Sequence, residues 1–132
     1  MRRACAVGAV ALAIAASGCG GSAGDILAIE VSGGFSGVGR SLVVTEDGRG
    51  RCDGGELRPI ESRTLIDARQ VRRDLEQYAD RGARFEGPRA DRRVYAARTR
   101  DGAVRWVEGA PGLPRVLPEA ASLALRLERE LC

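Results

Sequence analysis

The order of apolar patterns along the chain predicts a single α+β domain. We expect an antiparallel sheet of about four to five strands, with two helices packed on one of its faces. Alternating apolar residues indicate strands, Asp-Gly pairs indicate hairpin turns, and two apolar stripes at helical spacing indicate helices. In chain order these give β-β-β-α-β-β-α over residues 26–132. Because hairpins join neighbouring strands directly, the pairing should be antiparallel.

Three strands precede the first predicted helix. Residues 25–32 alternate large apolar side chains with smaller or polar ones, which is the pattern of a strand with one buried face. Residues 40–46 form a second apolar run, and an Asp-Gly hairpin signal leads from it into a short strand at 49–52. The connection between the first two strands contains four glycines within 33–39, where positive φ angles are accessible.

The first helix is predicted over residues 65–82. Asp67 is a residue type favoured at the N-cap, and Gln70 three positions later completes a capping-box arrangement. Ile66, directly before that cap, would pack against Val71 as a hydrophobic staple. The glycine that ends the segment suits the position after the last helical turn.

A second hairpin and a second helix complete the predicted domain. Residues 92–100 and 103–108 flank another Asp-Gly pair, which is a strong short-range hairpin signal. The last helix is predicted over 118–131, with Pro118 in its first turn.

The N-terminal segment has the features of an export signal. Residues 1–18 combine a short positive start with an apolar run that is too short for a membrane span, which needs about 20 residues. The small residues before Cys19 resemble a lipobox, with Ala16 where that pattern most often has leucine. We therefore expect a lipidated Cys19, a flexible tether over 19–25 and an extracytoplasmic chain anchored to the cell membrane. Ordinary signal cleavage, leaving a secreted soluble protein, is the alternative.

The charge balance gives no indication of a nucleic-acid partner. All 21 basic residues are arginines, and removing Arg2 and Arg3 with the signal leaves 19 against 18 acidic residues. Basic and acidic residues are interspersed along the chain, and no long block of one sign occurs. We expect a monomer that does not bind nucleic acid.

The cysteine count predicts one disulfide bond. Of the four cysteines, Cys5 would leave with the signal and Cys19 would carry the lipid. Cys52 and Cys132 then remain in an oxidising compartment, where two free thiols most simply pair. A redox or metal pair is the alternative, but the chain has neither a CxxC spacing nor a histidine to complete such a site.

Residues that could carry catalysis are sparse in this sequence. The chain has no histidine, which excludes Ser-His-Asp and Cys-His catalysis as well as the common zinc sites. Glu46 and Asp47 are adjacent acids of the kind that is usually solvated. The glycine-rich segment lacks the Lys-Ser or Lys-Thr of a phosphate-binding loop. We expect no catalytic residues, no metal and no cofactor.

The glycine-rich segment is the strongest candidate for a contact surface. It contains Phe35, which is one of only two phenylalanines in the chain. The ring either folds back into the core or serves as an exposed anchor for a partner. The residues alone favour the core.

The segment Ser-Gly-Gly-Phe-Ser-Gly, together with the order of elements over about 26–131, resembles the emfourin family. That family consists of small α+β protein inhibitors of thermolysin-like metalloproteases. The resemblance implies a loop offered to a protease cleft, and its residues are Ser32, Gly33, Gly34, Phe35, Ser36 and Gly37. The lipoprotein signal and the Cys52/Cys132 pair depart from the family pattern. A structural envelope lipoprotein with another partner is the alternative.

Overall fold

The computed structural model describes residues 24–37 and 39–132, and it confirms the α+β class. The strands are β1 (Asp25–Gly33), β2 (Arg40–Thr45), β3 (Arg49–Cys52), β4 (Arg58–Pro59), β5 (Arg84–Phe85), β6 (Arg93–Thr99) and β7 (Gly102–Val107). The helices are α1 (Ser62–Ala79) and α2 (Val116–Leu131). The predicted signal, Cys19 and the first part of the predicted tether lie outside the described residues.

Seven strands form one mixed sheet in the order β4-β3-β2-β1-β6-β7-β5. All neighbouring pairs are antiparallel except β5 and β7, which are parallel. The two strands beyond the predicted number, β4 and β5, have two residues each and lie at the two edges of the sheet. They are too short to show an alternating pattern in the sequence.

One face of the sheet carries the core because the strand registers align their large apolar residues. In β1, Ile29 lies opposite Leu42 of β2 and Ala97 of β6. On the next strand pair, Tyr95 lies opposite Trp106, and the two rings stack with their centroids 5.1 Å apart. Both helices pack on this face, since one continuous cluster joins them to these strands.

The first helix begins earlier than predicted, and its predicted cap and staple are wrong. It starts at Ser62, and Ile66 is 62% exposed, so it does not pack as the predicted staple. Asp67 lies inside the helix and forms an ion pair with Arg126 of α2. The carboxylate at the start of α1 belongs instead to Glu130 of α2. It accepts a hydrogen bond from the backbone N–H of Glu61, the N-cap residue of α1, at 3.1 Å.

The second helix also begins two residues before its predicted start, at Val116. Pro118 still lies in the first turn, where its missing N–H removes no helical hydrogen bond. None of the helices in the described residues is both long and apolar enough to cross a membrane.

The predicted disulfide bond is present between Cys52 and Cys132. The two Cα atoms lie 5.6 Å apart, and the bond joins β3 to the residue that follows α2. The second helix is thereby tied to the sheet at the end of the chain.

Candidate functional site

One end of the sheet, which we call the loop end, gathers four connecting segments. The strands β1, β3, β5 and β7 end there, and β2, β4 and β6 begin there, because their pairing fixes their directions. The segments are the glycine-rich connection after β1, the turn at 53–57, the segment 86–92 and the segment 108–115. The predicted loop therefore lies among three other connections.

Phe35 projects from the loop end into solvent. The residue is 91% exposed, so the core position that the residues alone favoured is wrong. The ring occupies a turn in which the N–H of Gly37 donates to the carbonyl of Gly34 at 3.3 Å. Both glycines have positive φ angles, +77° and +61°, which a residue with a side chain adopts at a cost. We call residues 34–37 the Phe35 turn.

The base of the Phe35 turn is held against the backbone that precedes β6. The N–H of Gly34 donates to the carbonyl of Arg92 at 3.1 Å. A Cβ added at Gly33 would lie 2.7 Å from the same carbonyl oxygen, so the chain approaches Arg92 more closely than any side chain would permit. Ser32 and Gly33 belong to β1, where they pair with Val94 and Arg93 of β6.

A charged cluster lies at the start of β2, the strand that follows the Phe35 turn in the sequence. Arg40 lies between two carboxylates, with Nη1 2.9 Å from Asp53 and Nε 3.3 Å from Glu128. Asp53 also accepts a hydrogen bond from the N–H of Ser41 at 2.8 Å. This backbone hydrogen bond, together with Arg40, lowers the pKa of Asp53, and the two carboxylates raise the pKa of Arg40.

The cluster around Arg40 was not predicted from the sequence. Asp53 belongs to an Asp-Gly-Gly segment that indicates the end of a strand, and its φ of +51° fits such a turn. The ion-pair partner of Asp53 is Arg40, 13 residues earlier in the sequence. Glu128, the second partner of Arg40, is 88 residues after Arg40. An aspartate before two glycines was the available signal for a turn, but nothing in the spacing identified its partners.

The loop end presents an exposed aromatic ring, a turn whose backbone is restrained by hydrogen bonds, and ion pairs between neighbouring segments. Among the residues that the structure describes, no group of three or more His, Cys, Asp or Glu side chains could hold a metal ion. The absence of a catalytic site remains a prediction from the sequence.

Comparisons with protein-family models, with curated proteins and with solved structures each found no match.

Proposed function

We propose that this chain is a membrane-anchored, extracytoplasmic binding module that inhibits a thermolysin-like metalloprotease through the Phe35 turn. The single observation that carries the proposal is the exposed ring of Phe35 on a turn that is restrained at its base. The resemblance of this segment to the emfourin loop supplies the class of partner. The chain itself performs no chemistry in this proposal.

The energetics of Phe35 favour a role in binding. Burying a phenylalanine side chain that is otherwise in water contributes roughly 1.5–3 kcal/mol, so an exposed ring is available to stabilise a complex. Hydrogen bonds already restrain the turn, from Gly37 to Gly34 and from Gly34 to Arg92. A restrained loop loses less conformational entropy when a partner orders it.

The mechanism is exclusion of substrate. The ring would enter an apolar pocket of the protease cleft, and the other segments of the loop end would cover the cleft around it. An aromatic side chain at the centre, surrounded by polar and charged residues, is the arrangement found in tight protein interfaces.

The position of the loop end suits an anchored inhibitor. Strand β1 begins at Asp25, shortly after the proposed lipid attachment at Cys19, and ends at Gly33 beside the Phe35 turn. At about 3.3 Å per residue, the strand separates its two ends by roughly 26 Å. The Phe35 turn is thus presented away from the point at which the chain leaves its anchor.

The proposal is tested by titration against a protease. Oxidised chain comprising residues 20–132 would be added to a thermolysin-like protease from the same source, and hydrolysis of a peptide substrate would be followed. We expect loss of activity that is complete at an equimolar ratio. Full activity in the presence of micromolar protein would contradict the proposal and favour an envelope lipoprotein with another partner.

A further inference from the structure

A cleft of about 480 Å³ lies at the end of the sheet opposite the loop end. It opens between the start of β1, the segment after β2, α1 and the turn between β6 and β7. Four arginines and two carboxylates line it, namely Arg69, Arg72, Arg73, Arg100, Asp25 and Glu46. We call this the arginine cleft. Its lining has an excess of two positive charges.

Two of the four guanidinium groups have carboxylate partners. Arg72 lies 2.6 Å from Glu76, one helical turn further along α1. Arg100 lies 3.6 Å from Glu46, and its side chain remains 83% exposed. Exposed pairs of this kind are weak, so Arg100 can exchange its partner for another anion at little cost.

The other two guanidinium groups bond to neutral oxygens. Arg69 donates to the backbone carbonyl of Glu46 at 3.1 Å, and Arg73 donates to the side-chain oxygen of Gln70 at 2.6 Å. In residues 24–37 and 39–132, neither Arg69 nor Arg73 has a carboxylate oxygen within 4.0 Å. The cleft therefore holds positive charge that the described part of the chain does not neutralise.

The arginine cleft lies where the chain would approach its anchor. The N–H of Glu46 donates to the carbonyl of Gly24 at 3.0 Å, which places Gly24 at the rim of the cleft. Gly24 is five positions after Cys19 in the sequence. A chain of five Cα–Cα steps spans at most about 18 Å. If Cys19 carries lipid, as proposed above, the cleft is within reach of the headgroups of the membrane.

We propose that the arginine cleft binds the phosphate of an anionic phospholipid in the membrane that holds the anchor. Guanidinium groups match phosphate oxygens with paired hydrogen bonds, and their number exceeds that of the carboxylates in this cleft. A basic surface beside a lipid anchor supplies a second attachment to an anionic membrane. Binding there would also orient the domain with its loop end directed away from the bilayer.

The test measures binding of the unlipidated chain to vesicles. Residues 20–132 contain the disulfide bond and every core residue in the part of the chain that the structure describes, so this chain retains what holds the described fold. We expect it to partition onto vesicles of phosphatidylglycerol and phosphatidylcholine and not onto phosphatidylcholine alone. Each arginine near an anionic surface strengthens membrane binding about fivefold. The double variant Arg69→Gln/Arg73→Gln should therefore bind the anionic vesicles at least about tenfold more weakly than the parent chain.

The matched control removes two positive charges from the loop end and none from the arginine cleft. Arg89 and Arg115 lie at the loop end, and both are exposed members of short-range ion pairs. The variant Arg89→Gln/Arg115→Gln should keep its vesicle binding within twofold of the parent chain. An equal loss in both double variants would show that net charge alone drives binding, and it would overturn the proposal. Equal binding to both kinds of vesicle would overturn it as well.

Two further measurements separate the lipid from other sources of phosphate and from the proposed inhibition. Inorganic phosphate at about 10 mM should displace less than half of the chain from the anionic vesicles, because it lacks the membrane surface potential. Complete displacement would assign the cleft to free phosphate and overturn the membrane as its occupant. The variant Arg69→Gln/Arg73→Gln should leave protease titration unchanged, so the two proposals can fail independently.

Discussion

At the scale of single residues, the ionisation of Asp53 in the charged cluster around Arg40 makes the stability of the fold depend on pH. Its folded-state pKa lies below that of an unfolded aspartate, first because Ser41 donates its N–H to the carboxylate and then because Arg40 lies beside it. A depressed carboxylate pKa stabilises the fold above the unfolded-state pKa of about 3.9. That contribution is lost as the pH falls through the folded-state pKa.

The variant Asp53→Asn should therefore melt at a lower temperature than the parent chain at pH 7. The difference between the two should shrink as the pH falls below about 4, because the parent chain loses the same ionised group. Thermal unfolding of both chains at several pH values between 7 and 2 measures this difference. A difference that stays constant over the whole range would contradict the role assigned to the carboxylate.

The single residues also show where the sequence was informative and where it was not. The glycines identified the turn correctly, because positive φ angles and the close approach to Arg92 both require a residue without a side chain. The exposure of Phe35 was not predictable from its residue type, since an aromatic ring is usually buried. The glycine pattern indicates the turn, but it does not indicate whether the side chain within that turn points toward the core or into solvent.

At the scale of elements, the start of α1 depends on α2. Glu130 accepts from the backbone N–H of Glu61 and from the hydroxyl of the buried Thr64. Glu130 therefore supplies the hydrogen-bond acceptor that the N-cap side chain of a helix usually provides. The N-cap residue of α1 itself forms no side-chain cap hydrogen bond. The capping-box pattern at Asp67 misled the prediction because the actual acceptor is 69 residues from the cap.

Replacing Glu130 with alanine should lower the free energy of unfolding by about 1–2 kcal/mol, since it removes both hydrogen bonds to the start of α1. Urea denaturation measures the change. The matched control is Glu119→Ala on the same helix, which removes an exposed pair with Arg115 and should cost about 0.5 kcal/mol or less. Equal losses for the two variants would show that Glu130 does not act as a cap.

The strands illustrate what periodicity can predict. The strands β1, β2, β3, β6 and β7 were anticipated in chain order, from alternating apolar residues or the Asp-Gly hairpin signals. The edge strands β4 and β5 were not, because two residues carry no period and their pairing is decided by neighbours in space.

At the scale of the whole molecule, the disulfide bond connects β3 to the residue that follows α2. It links Cys52 to Cys132 across a sequence separation of 80 residues. The pairing was predictable because only two cysteines remain once Cys5 is assigned to the predicted signal and Cys19 to the predicted lipid attachment. The arginine cleft was not predictable, since its arginines come from α1 and from the turn between β6 and β7.

Reduction of the disulfide bond should lower the free energy of unfolding by up to about 4–5 kcal/mol, because the unfolded chain gains the conformational freedom of the open loop. Unfolding in urea with and without reductant measures the loss. Mass spectrometry provides the check on pairing, since reduction should add two hydrogens to the mass. Alkylation of both thiols without reductant would contradict the bond.

The whole molecule also separates its two proposed contact surfaces. The Phe35 turn lies at one end of β1 and the arginine cleft at the other, so membrane attachment and partner binding need not compete.

The measurement that tests the central claim most directly compares two alanine variants in the protease titration. Phe35→Ala removes the exposed ring of the turn, and Ile66→Ala removes an exposed apolar side chain on α1, away from the loop end. We expect Phe35→Ala to weaken inhibition more than tenfold, Ile66→Ala to change it less than twofold, and both to melt within a few degrees of the parent chain. Undiminished inhibition by Phe35→Ala would show that the Phe35 turn is not the contact surface.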